Sequence, residues 1–149
     1  MHAPFRLVPA AVLAALLAAT ACGSRADMTS FAPAPPAGAT PYATDDASTD
    51  RVSLAFTDLH ASLRTLGAGR WEPKYYRVPA GAAWDALRAE LEQQATAAGW
   101  RAETRLSAQG TGYPRQAWTD GSEVVAAGLV EPPSGSDGAT VLIVLTPRR

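Results

Sequence analysis

The stretch ATVLIVLTP, residues 139–147, contains five consecutive aliphatic side chains, from Val141 to Leu145. A strand with one solvated face alternates apolar and polar residues, whereas an unbroken aliphatic run is typical of a strand buried on both faces. We therefore predict that this strand lies centrally in a β-sheet and decides the architecture around it.

Four further strands are predicted upstream of this run. RQAWTDGSEVVAAGLVE, residues 115–131, indicates two strands joined at Asp120-Gly121, a dipeptide typical of a two-residue type I′ turn. RAETRLSA, residues 101–108, alternates apolar and polar side chains, as a strand does. Aromatic and β-branched residues between chain breakers indicate another strand from about Trp71 to Val78.

A helix is predicted in GAAWDALRAELEQQATAAGW, residues 81–100. One helical stripe carries its apolar side chains, which are Trp84, Leu87, Leu91, Ala95 and Ala98. Gly99 followed by the apolar Trp100 suits a Schellman ending, in which a left-handed glycine closes the helix.

The stretch STDRVSLAFTDLHASLRTLG, residues 48–67, fits two periods. Val52, Leu54 and Phe56 alternate like a strand, but the alternation fails at Asp58. Helical spacing continues over the whole stretch and places its apolar residues on one face, namely Val52, Ala55, Phe56, Leu59, Leu63 and Leu66. We predict a helix, with Gly67 as the left-handed residue that follows it.

These elements predict an α+β domain over residues 49–149, in the order α-β-α-β-β-β-β. Short links between the later strands favour antiparallel neighbours. The expected architecture is a mostly antiparallel sheet of four or five strands with two helices packed on one face.

The first 21 residues have the form of an export signal. A short segment containing Arg6 precedes LVPAAVLAALLAA, which supplies about a dozen apolar residues, whereas a membrane-spanning helix needs roughly 20. Pro4 and Pro9 also disfavour one long helix from residue 1.

The small residues Ala19, Thr20 and Ala21 precede Cys22, the only cysteine in the chain. In this feature the chain resembles a bacterial lipoprotein precursor, whose lipobox ends at an obligatory cysteine. Alanine at position 19 departs from the leucine that is commonest there. The resemblance implies a diacylglycerol on the Cys22 sulfur and cleavage before that residue, after a signal peptide of residues 1–21. Ala19-Thr20-Ala21 also fits ordinary signal peptidase, which would release a protein with a free terminal cysteine.

A lone thiol in an oxidising compartment can pair only between molecules or become oxidised, and alkylation removes that problem. The resemblance therefore places the protein in the cell envelope. It is expected on the outer side of the cytoplasmic membrane or in the outer membrane facing the periplasm. Gly23, in place of the aspartate that retains many lipoproteins in the inner membrane, favours the outer membrane in a host with two.

Residues 22–48 are predicted to form a lipidated cysteine followed by a disordered tether. Proline, alanine, glycine, serine and threonine dominate this segment, and its only large apolar side chains are Met28, Phe31 and Tyr42. Such a composition favours extended polyproline conformations that hold a domain away from a bilayer.

Catalytic and metal-binding residue patterns are sparse in this sequence. His60 is the only histidine downstream of the signal, and it lies at the border of the polar face of its predicted helix. No nucleophile–base–acid arrangement, metal-ligand spacing or nucleotide fingerprint accompanies it, so no catalytic residue, metal or cofactor is predicted. The net charge of −1 provides no field that would favour nucleic acid.

Aromatic side chains are the remaining candidates for binding. Trp71, Tyr75 and Trp118 form a candidate binding face, with Trp71 and Tyr75 on the same side of their strand. The alternative is that these rings fill a core otherwise built of alanine and leucine. Arg77, Arg101, Arg105 and Arg115 suit either an anionic groove or a mixed solvated face.

The functional hypothesis is a membrane-anchored envelope lipoprotein whose non-catalytic domain binds another envelope protein. The alternative is a module that binds cell-wall glycan or a small ligand through an aromatic sheet face. A small hydrolase is a third hypothesis, and it requires His60 beside a carboxylate in a cleft.

Overall fold

The computed structural model describes residues 30–43, 49–67, 69–106, 112–135 and 137–148. Cys22 and the predicted signal peptide lie outside these residues. The two helices are α1 (Thr49–Leu66) and α2 (Trp84–Ala97), and the strands are β1 (Thr40–Pro41), β2 (Trp71–Arg77), β3 (Arg101–Ala102), β4 (Arg115–Thr119), β5 (Val124–Val130) and β6 (Val141–Pro147). The strands form one antiparallel sheet in the order β1-β2-β6-β5-β4-β3.

The predicted α+β class is confirmed, and so is the central position of the aliphatic strand. β6 pairs with β2 over its whole length and with β5 along most of it. The residues from Val141 to Thr146 are all buried. Odd-numbered side chains of β6 enter one core, and even-numbered side chains enter another on the opposite face of the sheet.

The two helices cover opposite faces of this sheet, which corrects the expectation that both pack on one face. α1 inserts Val52, Ala55, Leu59 and Leu63 into the core that contains Ile143. α2 inserts Leu87, Leu91 and Ala95 into the other core, which contains Leu142. A strand buried on both faces needs apolar cover on both, and one helix supplies each layer.

Of the two left-handed glycine endings predicted for the helices, the structure has one and lacks the other. Gly99 has a φ of +80°, and the Trp100 N–H donates to the Ala95 carbonyl at 2.9 Å, which is the Schellman bond. Gly67 does not have a positive φ, so the left-handed ending predicted for α1 is wrong. The helical interpretation of residues 49–66 is nevertheless confirmed.

Two predictions about the later strands are corrected. The stretch predicted as a strand over 101–108 is a strand only at Arg101–Ala102, and residues 107–110 lie outside the described residues. β4 and β5 are joined by a four-residue loop rather than a two-residue turn, because Thr119 pairs with Val124. Asp120 Oδ1 shapes this loop by accepting hydrogen bonds from the N–H groups of Ser122 and Glu123 at 2.7 and 2.8 Å.

The segment 30–43 packs against the domain, where the sequence predicts a spacer. Phe31 and Tyr42 are 6% and 7% exposed, and they enter the α2-side and α1-side cores respectively. Between them, Thr40 and Pro41 add the sixth strand at the edge of β2. The Ala34 N–H donates to Gln94 Oε1 at 2.8 Å, which ties the segment to α2. This segment therefore wraps around the edge of the sheet from one core to the other.

Candidate functional site

Four rings meet at the surface between α1 and β2. Phe56 and His60 lie one turn apart on α1 and stack at 5.7 Å between ring centroids. Each contacts a ring of β2 edge to face, since Phe56 lies 6.3 Å from Tyr75 and His60 lies 5.8 Å from Trp71. All four side chains are half-buried. We call Phe56, His60, Trp71 and Tyr75 the aromatic cluster.

The packing of α1 explains where the cluster forms. α1 lies over β5 and β6, with Leu59 and Leu63 fully buried against the sheet. β2 is the next strand outward from β6, so the flank of α1 that carries Phe56 and His60 meets Trp71 and Tyr75. Residues of a strand four positions apart point to the same face, which places both β2 rings on the α1 side.

Trp71 is held in place by a hydrogen bond as well as by ring contacts. Its indole N–H donates to the Val124 carbonyl at 2.9 Å, and this bond reaches across β6 to the start of β5. Burial raises the pKa of Tyr75 above its ordinary value. Fixed, half-exposed rings of this kind would not have to become ordered before a ligand or partner covered them.

The structure separates the three residues of the predicted binding face. Trp71 and Tyr75 lie together in the aromatic cluster, but Trp118 lies on the opposite face of the sheet. Trp118 is 1% exposed in the α2-side core, so its place in a binding face is corrected. It fills the core, which was the alternative for these aromatic residues.

Sequence reasoning did not assign Phe56 and His60 to the site. The sequence offers one signal for these two residues, which is their four-residue spacing at the edge of the apolar stripe of α1. That spacing shows only that the two rings are neighbours on the helix. Their contact with β2 depends on how α1 crosses the sheet.

A pocket of about 260 Å³ adjoins the aromatic cluster and shares Trp71 with it. Leu66, Trp71, Val124 and Pro147 supply apolar parts of its wall. Its charged lining consists of Arg70, Arg105, Arg148 and Glu123. We call this the arginine pocket, and of the four arginines singled out in the sequence only Arg105 lines it.

Arg105 is already engaged by a buried carboxylate. Glu103 is 6% exposed, and its two oxygens accept from Arg105 Nε at 2.9 Å and Nη2 at 2.6 Å. Its Oε1 also accepts from the Arg105 backbone N–H at 2.9 Å. These hydrogen bonds from the side chain and backbone of Arg105 lower the pKa of Glu103 to about 2.

A second polar network lies between the middle of α1 and β4. Arg115 Nη1 donates to Asp58 Oδ2 at 2.7 Å and to Ser62 Oγ at 3.0 Å. The Tyr113 hydroxyl lies 2.8 Å from the same Asp58 oxygen, and burial together with this bond raises the pKa of Tyr113. The network joins α1 to β4 and its preceding loop, so its role is structural.

The geometry around His60 gives no support to the hydrolase hypothesis. The ring contacts recorded for His60 are with Phe56 and Trp71, and no ion pair joins it to a carboxylate of the described residues. Within those same residues, no group of three or more histidine, cysteine or acidic side chains is placed to hold a metal ion. None of the helices in the described segments has the length and apolar character to cross a bilayer.

The chain matches no protein-family model, no curated protein and no solved structure.

Proposed function

We propose that this protein is a lipid-anchored component of the cell envelope and that its domain binds another envelope protein through the aromatic cluster. The single observation that carries the binding role is the contact of four half-buried rings from two different elements at one surface. The envelope location rests on the resemblance of residues 1–22 to a lipoprotein precursor.

The composition of this surface favours a protein partner. Aromatic residues and arginine are enriched in the parts of protein interfaces that carry most of the binding free energy. The cluster supplies Trp71 and Tyr75, and the adjoining arginine pocket supplies Arg70 and Arg148. Rings already held by neighbours lose little conformational entropy when a partner covers them.

Glycan binding remains the second candidate, because aromatic rings also stack on sugars. Stacking on a sugar requires an open ring face. In the pairs His60–Trp71 and Phe56–Tyr75 the ring planes meet at 85° and 68°, so that one ring face in each pair is occupied. This geometry leaves less flat aromatic surface than a glycan platform would offer.

The partner is not expected to add a strand to the sheet beside the cluster. The Tyr75 carbonyl accepts from the Tyr42 N–H at 2.9 Å, so the backbone groups of Tyr75 point toward the outer edge of β2. Pro73, two residues earlier, faces the same edge and has no N–H to donate. Side-chain contacts with the cluster, rather than strand pairing, would therefore mediate binding.

The packed segment 30–43 limits how far the domain reaches from its anchor. Nine residue steps separate Cys22 from Phe31, and a fully extended chain of that length spans about 30 Å. A diacylglycerol on Cys22 would thus keep the Phe31 side of the domain within that distance of the bilayer. The proposed partner is a protein that lies in or close to the same membrane.

The test is photo-crosslinking in intact cells, with a photoreactive amino acid at position 60 in the cluster or at the matched position 92. Glu92 is exposed on α2, on the other face of the molecule. We expect a discrete protein adduct from position 60 and none from position 92. The adduct should be lost in Tyr75→Ser and retained in Tyr76→Ser, whose side chain packs on the α2 side.

Equal adducts from positions 60 and 92, or no adduct from either, would contradict a protein-binding cluster. A pull-down on purified peptidoglycan separates the second candidate. Retention that Tyr75→Ser abolishes and Tyr76→Ser preserves would favour glycan as the ligand.

A further inference from the structure

Two arginines face each other across the end of the sheet. Trp71 pairs with Pro147 in the β2–β6 register, and the next step of that register places Arg70 opposite Arg148. The Arg148 N–H donates to the Arg70 carbonyl at 2.7 Å, which continues the ladder to this pair. Like charges directly opposite each other in an antiparallel pair are destabilising.

Nothing in the described residues neutralises this pair directly. Neither guanidinium forms an ion pair with a carboxylate of those residues. Both arginines line the arginine pocket, where the third guanidinium, that of Arg105, is engaged by Glu103. Glu123 contributes the one carboxylate of the lining, and Arg101 Nη2 lies at the rim, 3.9 Å from the position of a Cβ atom at Gly121.

Several other polar groups around the pocket form hydrogen bonds within the protein. The indole N–H of Trp71 donates to Val124, and the Gly121 N–H donates to Thr119 Oγ1 at 2.9 Å. Asp120 Oδ1 accepts hydrogen bonds from the N–H groups of Ser122 and Glu123. Among the guanidinium groups that line the pocket, those of Arg70 and Arg148 are the two that form no ion pair with a carboxylate of the described residues.

We propose that the arginine pocket binds an oxyanion, a carboxylate or phosphate group, between Arg70 and Arg148. Guanidinium groups bind such anions through paired hydrogen bonds, and an anion between two arginines converts their repulsion into attraction. A volume of about 260 Å³ holds one oxyanion group and a few attached atoms, with Leu66, Trp71 and Pro147 beside the apolar part. The same two arginines adjoin the surface proposed to bind a protein partner, but binding of an anion to them can be measured without that partner.

The test is direct titration of the mature protein, purified in micelles of the uncharged detergent dodecyl maltoside. Inorganic phosphate and propane-1,2,3-tricarboxylate serve as probes, with chloride at matched ionic strength as the reference. We expect saturable binding of at least one probe by calorimetry. Phosphate binding alone indicates a phosphate ester as the natural ligand group, and tricarboxylate binding alone indicates a carboxylate.

Arg70→Gln and Arg148→Gln should each weaken this binding at least tenfold. Arg51→Gln is the matched control, because Arg51 is an exposed arginine at the start of α1, away from this pocket. Without a probe anion, Arg70→Gln should melt at the same temperature as the wild type or higher, since it removes a repulsion. A purely structural arginine would instead lower the melting temperature when replaced.

Three results would overturn the proposal. These are the absence of saturable binding by both probes, undiminished binding in Arg70→Gln, and an equal loss in Arg51→Gln. If Arg148→Gln fails to fold, Arg70→Gln and Arg70→Lys carry the same comparison.

Discussion

The ring of Tyr113 lies against the backbone of Gly128, and a Cβ atom at position 128 would approach Tyr113 Cε2 to 2.8 Å. Gly128 sits within the buried strand β5, where glycine is otherwise unfavourable. Its lack of a side chain lets Tyr113 reach α1 and place its hydroxyl 2.8 Å from Asp58 Oδ2.

Replacing this glycine tests the packing of Tyr113. Gly128→Ala should lower the free energy of unfolding by about 1–3 kcal/mol, because the new methyl group displaces the ring and disturbs its bonds to α1. Urea denaturation followed by circular dichroism measures the change. Gly67→Ala is the matched control, since no atom lies within 4 Å of its added Cβ and its φ is not positive. Equal unfolding midpoints for the two variants would contradict this close contact.

A second prediction concerns acid stability. The hydrogen bonds from Arg105 lower the folded-state pKa of Glu103 to about 2, whereas an unfolded glutamate titrates near 4.3. A lowered pKa stabilises the fold above the unfolded pKa, and that stabilisation is lost as the pH falls toward 2. Glu103→Gln should therefore flatten the dependence of the melting temperature on pH between about 2 and 5.

Glu92→Gln removes an exposed carboxylate from α2 and serves as the control. It should follow the wild-type curve. Parallel curves for Glu103→Gln and the wild type over this pH range would show that Glu103 does not hold the proposed ionised bond.

The docked segment 30–43 gives a third prediction. Phe31 is 6% exposed and lies 5.4 Å from the ring of Trp100. Phe31→Ala should cost about 3 kcal/mol of unfolding free energy, the low end for a buried phenylalanine, because a surface segment adjusts around the loss. Hydrogen exchange at the Tyr42 amide, which bonds to the Tyr75 carbonyl, should accelerate.

Ala32→Ser changes the exposed neighbour of Phe31 and should leave both measurements unchanged. If Phe31→Ala behaves like Ala32→Ser, the segment does not contribute to the folded domain, and the sequence-based prediction of a spacer would hold for it.

The fold was predictable where short-range periodicity carries the information. The period of residues 49–66 predicts α1, and the unbroken run from Val141 to Leu145 predicts a central strand. That run also requires cover on both faces of the sheet. Neither helix, however, specifies which face it takes, so the opposite placement of α1 and α2 became clear only from the structure.

Composition misled at residues 30–43. Proline and alanine dominate there and favour an extended chain, but Phe31 and Tyr42 are large apolar side chains spaced so that each reaches a different core. An extended segment needs only a few such anchors when a folded domain is beside it. A prediction from composition considers the segment alone. It therefore leaves out the folded domain on which the segment packs.

The candidate sites depend on contacts between residues distant in sequence. His60 meets Trp71, and Arg70 faces Arg148, only because of the crossing of α1 and the register of β2 with β6. No local period encodes such pairs. At Trp118 the residue type alone gives the wrong role. Its aromatic ring suggests binding, but its position in β4 places it in a core.

The proposed role in the cell envelope depends on the lipid anchor at Cys22. One measurement tests directly whether that anchor is present. Trypsin should release the tetrapeptide Cys22–Arg25 from the mature protein, since cleavage follows Arg25. Mass spectrometry of the detergent phase should find this peptide carrying a diacylglycerol on its sulfur. The same peptide with an unmodified thiol, recovered from protein in the aqueous fraction, would contradict membrane attachment and the envelope partner that depends on it.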